Sequence, residues 1–200
     1  MNAVLFAAIA DALAGPGWIV VDDFIDGALA AALNAQAQVL ELVPARIGNG
    51  PQRRAVQVLR SDRTRWIEEP GANPAEHELL ARLGALRLAL NRSLFAGLES
   101  FECHYAHYAP DAHYQRHLDR FRDDDRRLVS CVLYLNPDWQ ESHGGALRLY
   151  DAADATLTDV LPRSCRFVVF LSDRFPHEVL PATRDRYSIA AWFLRRAVSA

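Results

Sequence analysis

From Gly97 onward the chain breaks into short extended runs divided by turn residues. They run from Phe101 to Tyr108, Tyr114 to Leu118, Leu128 to Leu135, Ala146 to Tyr150, Ala155 to Val160, Arg166 to Leu171, Glu178 to Leu180 and Arg186 to Leu194. Strands this short and this closely spaced cannot each build a core alone, and the architectures that give them one are a sandwich or a barrel. The Leu128 to Leu135 run and the last run are almost continuously apolar, so both are expected to be covered on both faces. No internal repeat and no low-complexity segment interrupts the series.

The first half has a different texture. Leu5, Ile9 and Leu13 recur at four-residue steps in an Ala-rich stretch over residues 3 to 14, which is one helical face, and Gly15-Pro16-Gly17 ends it. Trp18 to Val21 reads as a strand. Asp26 is placed to cap a second helix carrying Leu29, Leu33, Ala37 and Leu40, stopped by Pro44. Asn73-Pro74-Ala75-Glu76 combines an Asn cap, Pro at the first helical position and Glu reaching back from the third, ahead of Leu79, Leu83, Leu86, Leu90 and Leu94. That leucine stripe needs a partner, and a sheet face is the natural one. Between the second and third helices, residues 45 to 58 are turn-rich and basic, with Arg46, Gly48, Gly50, Arg53 and Arg54. They read as a long surface loop, a class that often supplies lids.

Two hundred residues with 50% hydrophobic and 24% charged content support one domain, 1–200. It divides into helical support with a lid loop over 1–98 and a strand-built half over 99–200. The formal net charge of -3 and a pI near 6.1 argue against nucleic acid as a partner, since phosphate binders carry a basic footprint. Cys103, Cys131 and Cys165 are odd in number, stand singly in apolar stretches and lack Cys-x-x-Cys spacing; they read as core residues of a reducing compartment. The N-terminal apolar run has no basic residue and is broken by Asp11. A cytoplasmic protein with no membrane segment is the expectation.

Chemistry concentrates at His117-Leu118-Asp119. In an extended strand, alternate side chains share a face, so His117 and Asp119 would project together. His177, in a loop segment after an apolar run, can complete a set of two imidazoles and one carboxylate. That set on one side of an ion is the pattern that holds non-haem Fe(II) and leaves positions free for a bidentate co-substrate and O2. A 2-oxo acid fills two of them, and its far carboxylate then needs a fixed cation. Arg186, with Ser188 on the same strand face, offers a planar fork in an otherwise apolar strand. The remaining histidines are weaker candidates. His104 and His107 face opposite ways and read as pocket or surface residues, while His77 and His143 have no site around them. The Asp123-Asp124-Asp125 run reads as a solvated tip, and Arg127, opening an apolar strand, as pointing into the barrel mouth.

These residues resemble the iron(II)/2-oxoglutarate dioxygenases, in the prolyl-hydroxylase branch that includes the hypoxia-sensing enzymes and their bacterial relatives. The resemblance is carried by Gly17 to Ile25, Leu59-Arg-Ser-Asp62, Trp66-Ile-Glu68, Tyr114 to Asp119, Tyr134-Leu-Asn136 with Trp139, Gly144-Gly-Ala-Leu-Arg148, Ser172-Asp-Arg174, Pro176-His-Glu-Val179, and Arg186-Tyr-Ser-Ile189 with Trp192. It implies a mainly β fold with supporting helices, a double-stranded β-helix (jelly-roll) core with the N-terminal helices packed on one sheet. Iron would be held by His117, Asp119 and His177. Arg186, Tyr134 and Ser188 would bind the distal carboxylate of 2-oxoglutarate, with Tyr108 and Tyr114 lining the pocket. Arg127 and Trp192 would stand on the substrate side, and Arg46, Arg53 and Arg54 in the lid. The segment between Tyr108 and Tyr114 is a residue shorter here than in the family, and Ala190 stands where the animal oxygen sensors carry a hydroxyl residue.

The function this implies is hydroxylation of a prolyl residue in a protein, coupled to conversion of 2-oxoglutarate and O2 to succinate and CO2, by a monomer with ascorbate as reductant. Hydroxylation of a free amino acid or small metabolite is a second reading. A catalytically silent sensor that binds a metal or a 2-oxo acid is a third, disfavoured because such a protein has no need of an open iron face.

Overall fold

The computed structural model describes residues 2–45, 59–120 and 125–196. The expected lid, with Arg46, Arg53 and Arg54, lies outside these residues, as do Asp123 and Asp124. No helix among the described residues is long and apolar enough to cross a membrane.

Among the described residues, eleven strands and three α-helices follow in the order α1 (Asn2–Ala14), β1 (Trp18–Val21), α2 (Gly27–Val39), β2 (Val43–Pro44), β3 (Arg63–Ile67), α3 (Pro74–Leu94), β4 (Leu98–Tyr108), β5 (Tyr114–His117), β6 (Arg127–Tyr134), β7 (Leu147–Tyr150), β8 (Thr156–Val160), β9 (Phe167–Leu171), β10 (His177–Val179) and β11 (Arg186–Arg195). They form a seven-stranded sheet, β1-β9-β6-β11-β4-β3-β2, and a four-stranded sheet, β5-β10-β7-β8. Every pairing between named strands is antiparallel. This is the expected jelly roll with helices on one sheet.

The helices form where local chemistry directs. Asn73 accepts from the Glu76 amide at 3.1 Å, and Glu76 reaches back to the Ala72 amide at 2.7 Å, one residue beyond the cap itself. Leu79, Leu83, Leu86 and Leu90 are then all but inaccessible, packed in one cluster with Cys103, Tyr105, Ile189 and Phe193 of the large sheet. Asp26 caps α2 by accepting from the Leu29 amide at 2.8 Å. That helix ends at Val39, before Pro44, which instead pairs in β2 with Arg63. The strand β3 was not legible in the sequence: it is five residues long, carries two arginines and is exposed at Arg63, Arg65 and Trp66, and its pairing with β4 on one side and β2 on the other makes it a strand.

The alternation along β4 and β11 divides the large sheet's two faces. Cys103, Tyr105, Ile189 and Ala191 point to the helices, whereas His104, Ala106, Tyr108, Arg186, Ser188, Ala190 and Trp192 line the space between the sheets.

Candidate active site

The two sheets enclose a cavity of about 550 Å³. From the small sheet, β10 pairs with β5 so that His177 stands directly opposite His117, with ring centroids 4.3 Å apart. Asp119 arrives differently from expectation. The strand ends at His117 rather than continuing through Leu118, and Asp119 sits in the bend that follows. The bend is drawn over by its next residue: the Arg120 amide donates to the Ser172 carbonyl (3.3 Å) and its guanidinium to Asp173 (2.6 Å). The turn brings the carboxylate between the imidazoles, with Oδ1 3.6 Å from His117 Nε2 and Oδ2 3.5 Å from His177 Nε2. One ligand atom from each of the three residues lies within 4.8 Å of the others. Contacts of 3.5 Å and more are long for hydrogen bonds and leave room for one cation among the three atoms.

The tautomers support that reading. His117 Nδ1 meets the Gln115 carbonyl at 2.8 Å, and His177 Nδ1 meets the Phe175 carbonyl at 3.0 Å. A carbonyl only accepts, so each Nδ1 carries the proton and each Nε2 turns a lone pair inward. Burial keeps His177 neutral, lowering its pKa to about 4. Burial alone would raise the Asp119 carboxyl, but the adjoining His177 and His117 outweigh it and hold Asp119 well below the usual carboxylate range. A carboxylate and two neutral imidazoles are the protonation states that bind a divalent ion.

Facing this group from the large sheet is Arg186, 1% exposed and with no carboxylate bound to it among the described residues. Its Nε donates to the Gly145 carbonyl at 2.9 Å, and Nη1 lies 3.4 Å from Ser188 Oγ. Among the described residues its Nη2 has no partner, nor has the buried hydroxyl of Tyr134, whose ring lies 5.1 Å from the guanidinium carbon. Burial pushes the Tyr134 phenol up to about 12, so it stays a donor. A buried cation with an idle N–H beside an idle hydroxyl is costly alone, and a bound carboxylate would satisfy both. The residues therefore fit a cation on one sheet and the far end of a dicarboxylic 2-oxo acid on the other.

Tyr108 lines the cavity with its ring 5.0 Å from the Arg186 guanidinium. Tyr114 stacks on His117 at 3.6 Å. Arg127 lies over Trp192 at 3.9 Å and is bound by Glu102 through Nε (2.9 Å) and Nη2 (2.5 Å); both residues line the cavity away from Arg186. His104 also lines it, whereas His107 turns outward to Asp185. Asp125 is no free tip residue, since Arg120 and Arg195 both pair with it.

Four contributors escaped the reading by residue type. Arg60 and Asp62 form a two-point ion pair (2.6 and 2.9 Å), with the guanidinium 4.6 Å from the Tyr114 ring that braces His117. Gly145 has φ +70°, and a Cβ there would meet Ala182, Trp139 and the Arg186 side chain at 2.9, 3.0 and 3.4 Å, so only glycine lets its carbonyl reach Arg186. Asn136 bonds both the amide (2.7 Å) and the carbonyl (3.0 Å) of Tyr187, holding the strand backbone beside Arg186. The motifs that carried the resemblance contain all four, but no residue-type rule announces their roles.

The profile of the 2OG-Fe(II) oxygenase superfamily matches residues 103–194. Human Egl nine homolog 1 is 35% identical over 146 residues, 68% of this chain; the chain spans 33% of that relative's length. Among solved structures, a Pseudomonas putida prolyl-4-hydroxylase superposes with a TM-score of 0.87 at 47% identity, covering 96% of this chain and all of that one. A Trichoplax adhaerens prolyl hydroxylase, solved with a hypoxia inducible factor oxygen degradation domain peptide fragment, gives 0.80 at 27% identity over 96% and 90% of the two chains. Similarity along the whole of a prolyl-4-hydroxylase, together with the paired sheets and their facing polar groups, places the chain in a family: it belongs to the 2OG-Fe(II) oxygenases, in their prolyl-hydroxylase branch.

Proposed function

We propose that this protein hydroxylates a prolyl residue of a protein, with one atom of O2 entering the new hydroxyl and the other entering the succinate formed as 2-oxoglutarate loses CO2. The observation that carries the reading is the opposition of the two sheets: His117, Asp119 and His177 on one side, and on the other the buried Arg186, whose Nη2 is left without a partner among the described residues. Iron, when bound, supplies the activation of O2 that couples decarboxylation to C–H hydroxylation. His117, Asp119 and His177 would hold it. Arg186 Nη2 and the Tyr134 hydroxyl take the distal carboxylate of 2-oxoglutarate, and Tyr108 closes the wall beside them. Arg127 and Trp192 line the side from which substrate approaches. The aromatic and aliphatic walls exclude water from the reacting atoms.

The protein acts on this reading as a cytoplasmic monomer, with ascorbate keeping the iron reduced; the similarity to enzymes named prolyl hydroxylases supports a protein substrate over a metabolite. Peptide mass spectrometry of host proteins made with and without this chain tests it. The expected result is the gain of one oxygen on a proline of a particular protein. Gain on a free amino acid alone, with no protein site, overturns it in favour of the metabolite reading.

A further inference from the structure

Beyond the iron and 2-oxoglutarate groups, the cavity continues along the large sheet to a histidine that neither requires. His104 lies on β4 four residues before Tyr108, which pairs with Arg186, so it stands roughly 13 Å along the strands from that anchor at about 3.3 Å per residue. This exceeds the length of a five-carbon diacid. The side chain is 3% exposed and lines the cavity.

Its surroundings set both the plane and the tautomer of the ring. On the neighbouring strand its partner is Trp66, whose indole meets it edge-on at 5.0 Å, and Trp192 lies against it at 5.3 Å. On the other side its partner is Ala190, small enough to leave the imidazole its place. Nδ1 lies 3.0 Å from the Tyr105 carbonyl, so it carries the proton and Nε2 is an acceptor. That contact is the imidazole's one hydrogen bond among the described residues. Burial lowers the His104 pKa to about 4, which keeps the acceptor intact at neutral pH. A ring needed only for packing would be served by an apolar side chain, whereas this one lines the cavity with an acceptor that no described residue takes up.

Given the prolyl reading of function, on which this rests, we propose that His104 determines substrate choice by accepting, at Nε2, the backbone N–H of the residue that follows the target proline. Proline has no N–H of its own, so the nearest main-chain donor on that side belongs to its successor. A preset acceptor in a dry wall rejects a ligand lacking the donor more strongly than a solvated one would.

The test uses a synthetic peptide centred on the proline found by mass spectrometry, and its analogue with an ester oxygen in place of that single N–H. The wild type should lose roughly tenfold in kcat/KM on the ester, mainly through KM. His104→Leu should treat the two alike while keeping wild-type iron binding and peptide-independent succinate formation, and His104→Gln, which retains an acceptor, should recover part of the preference. Equal use of amide and ester by the wild type overturns the proposal, as does an undiminished preference in His104→Leu or a loss of iron or 2-oxoglutarate binding there. Failure of the wild type on every prolyl peptide is a separate outcome: it removes the reading of function, and this proposal with it.

Discussion

The two sheets do different work and are built by different means. The large sheet is covered on one face by three helices and holds the proposed carboxylate anchor by burial: Arg186, Tyr134 and Ser188 are each at most 3% exposed. The small sheet has its outer face in water, ruled by charged pairs such as Arg148 with Asp159 (2.7 Å), and by Arg116 lying over Tyr150 at 4.1 Å. Yet it carries both histidines of the metal set, on a three-residue and a four-residue strand. The large sheet fixes its site by packing, whereas the small one fixes it by register and by carbonyls that take each Nδ1. The site exists only as the facing of the two.

The sharpest way to break this comparison is to remove a ligand from the small sheet. His177→Ala should abolish the weak visible absorption that Fe(II) and 2-oxoglutarate give together without oxygen, with the fold retained by circular dichroism; an unchanged band would remove His177 from the metal set. Beneath the large sheet, Leu86→Ala should cost about 2–5 kcal/mol by leaving a cavity in the helix-covered core, read by urea denaturation. A cost below 1 kcal/mol would show that the helices do not carry the large sheet's rigidity.

Acid should expose a further asymmetry. His104 has a native pKa of about 4 against the usual 6.5, so between these values the unfolded chain binds a proton that the folded one refuses. Stability is then complete above pH 6.5 and falls as pH drops toward 4, by on the order of 2–3 kcal/mol from this residue. In His104→Leu the slope across that window should shrink; an identical slope would assign the acid sensitivity elsewhere. Arg186→Lys keeps a cation and loses the fork, so 2-oxoglutarate binding should weaken by about tenfold or more, on the order of 1.5–3 kcal/mol, with iron binding retained. Equal affinity would mean that another cation takes the carboxylate. The smallest effect belongs to the outer face of the small sheet, where Arg148→Ala should change the melting free energy by about 0.5 kcal/mol or less, since an exposed ion pair is screened by water. A larger loss would show that the short strands depend on their charged ladder.

What the sequence determined by itself follows from local rules. The leucine stripe behind Asn73 and Pro74 had to be a helix with one buried face, the apolar runs after Gly97 had to be strands, and two histidines with an aspartate and a lone arginine in apolar sequence were legible as a candidate metal set and a candidate anchor. Tertiary structure decided the rest. β3 is a strand because β4 and β2 lie beside it, since a short, largely exposed and basic run has no periodic signature strong enough to read. Asp119 reaches the imidazoles through a bend held by Arg120, Ser172 and Asp173, residues 50 or more positions apart in part, and not through strand alternation. Gly145, Asn136 and the Arg60–Asp62 pair act by touching Arg186, Tyr187 and Tyr114 across the fold. Local propensity can say which face of an element is apolar, but which polar atoms meet across a cavity depends on how two sheets pack, and that is a property of the whole chain.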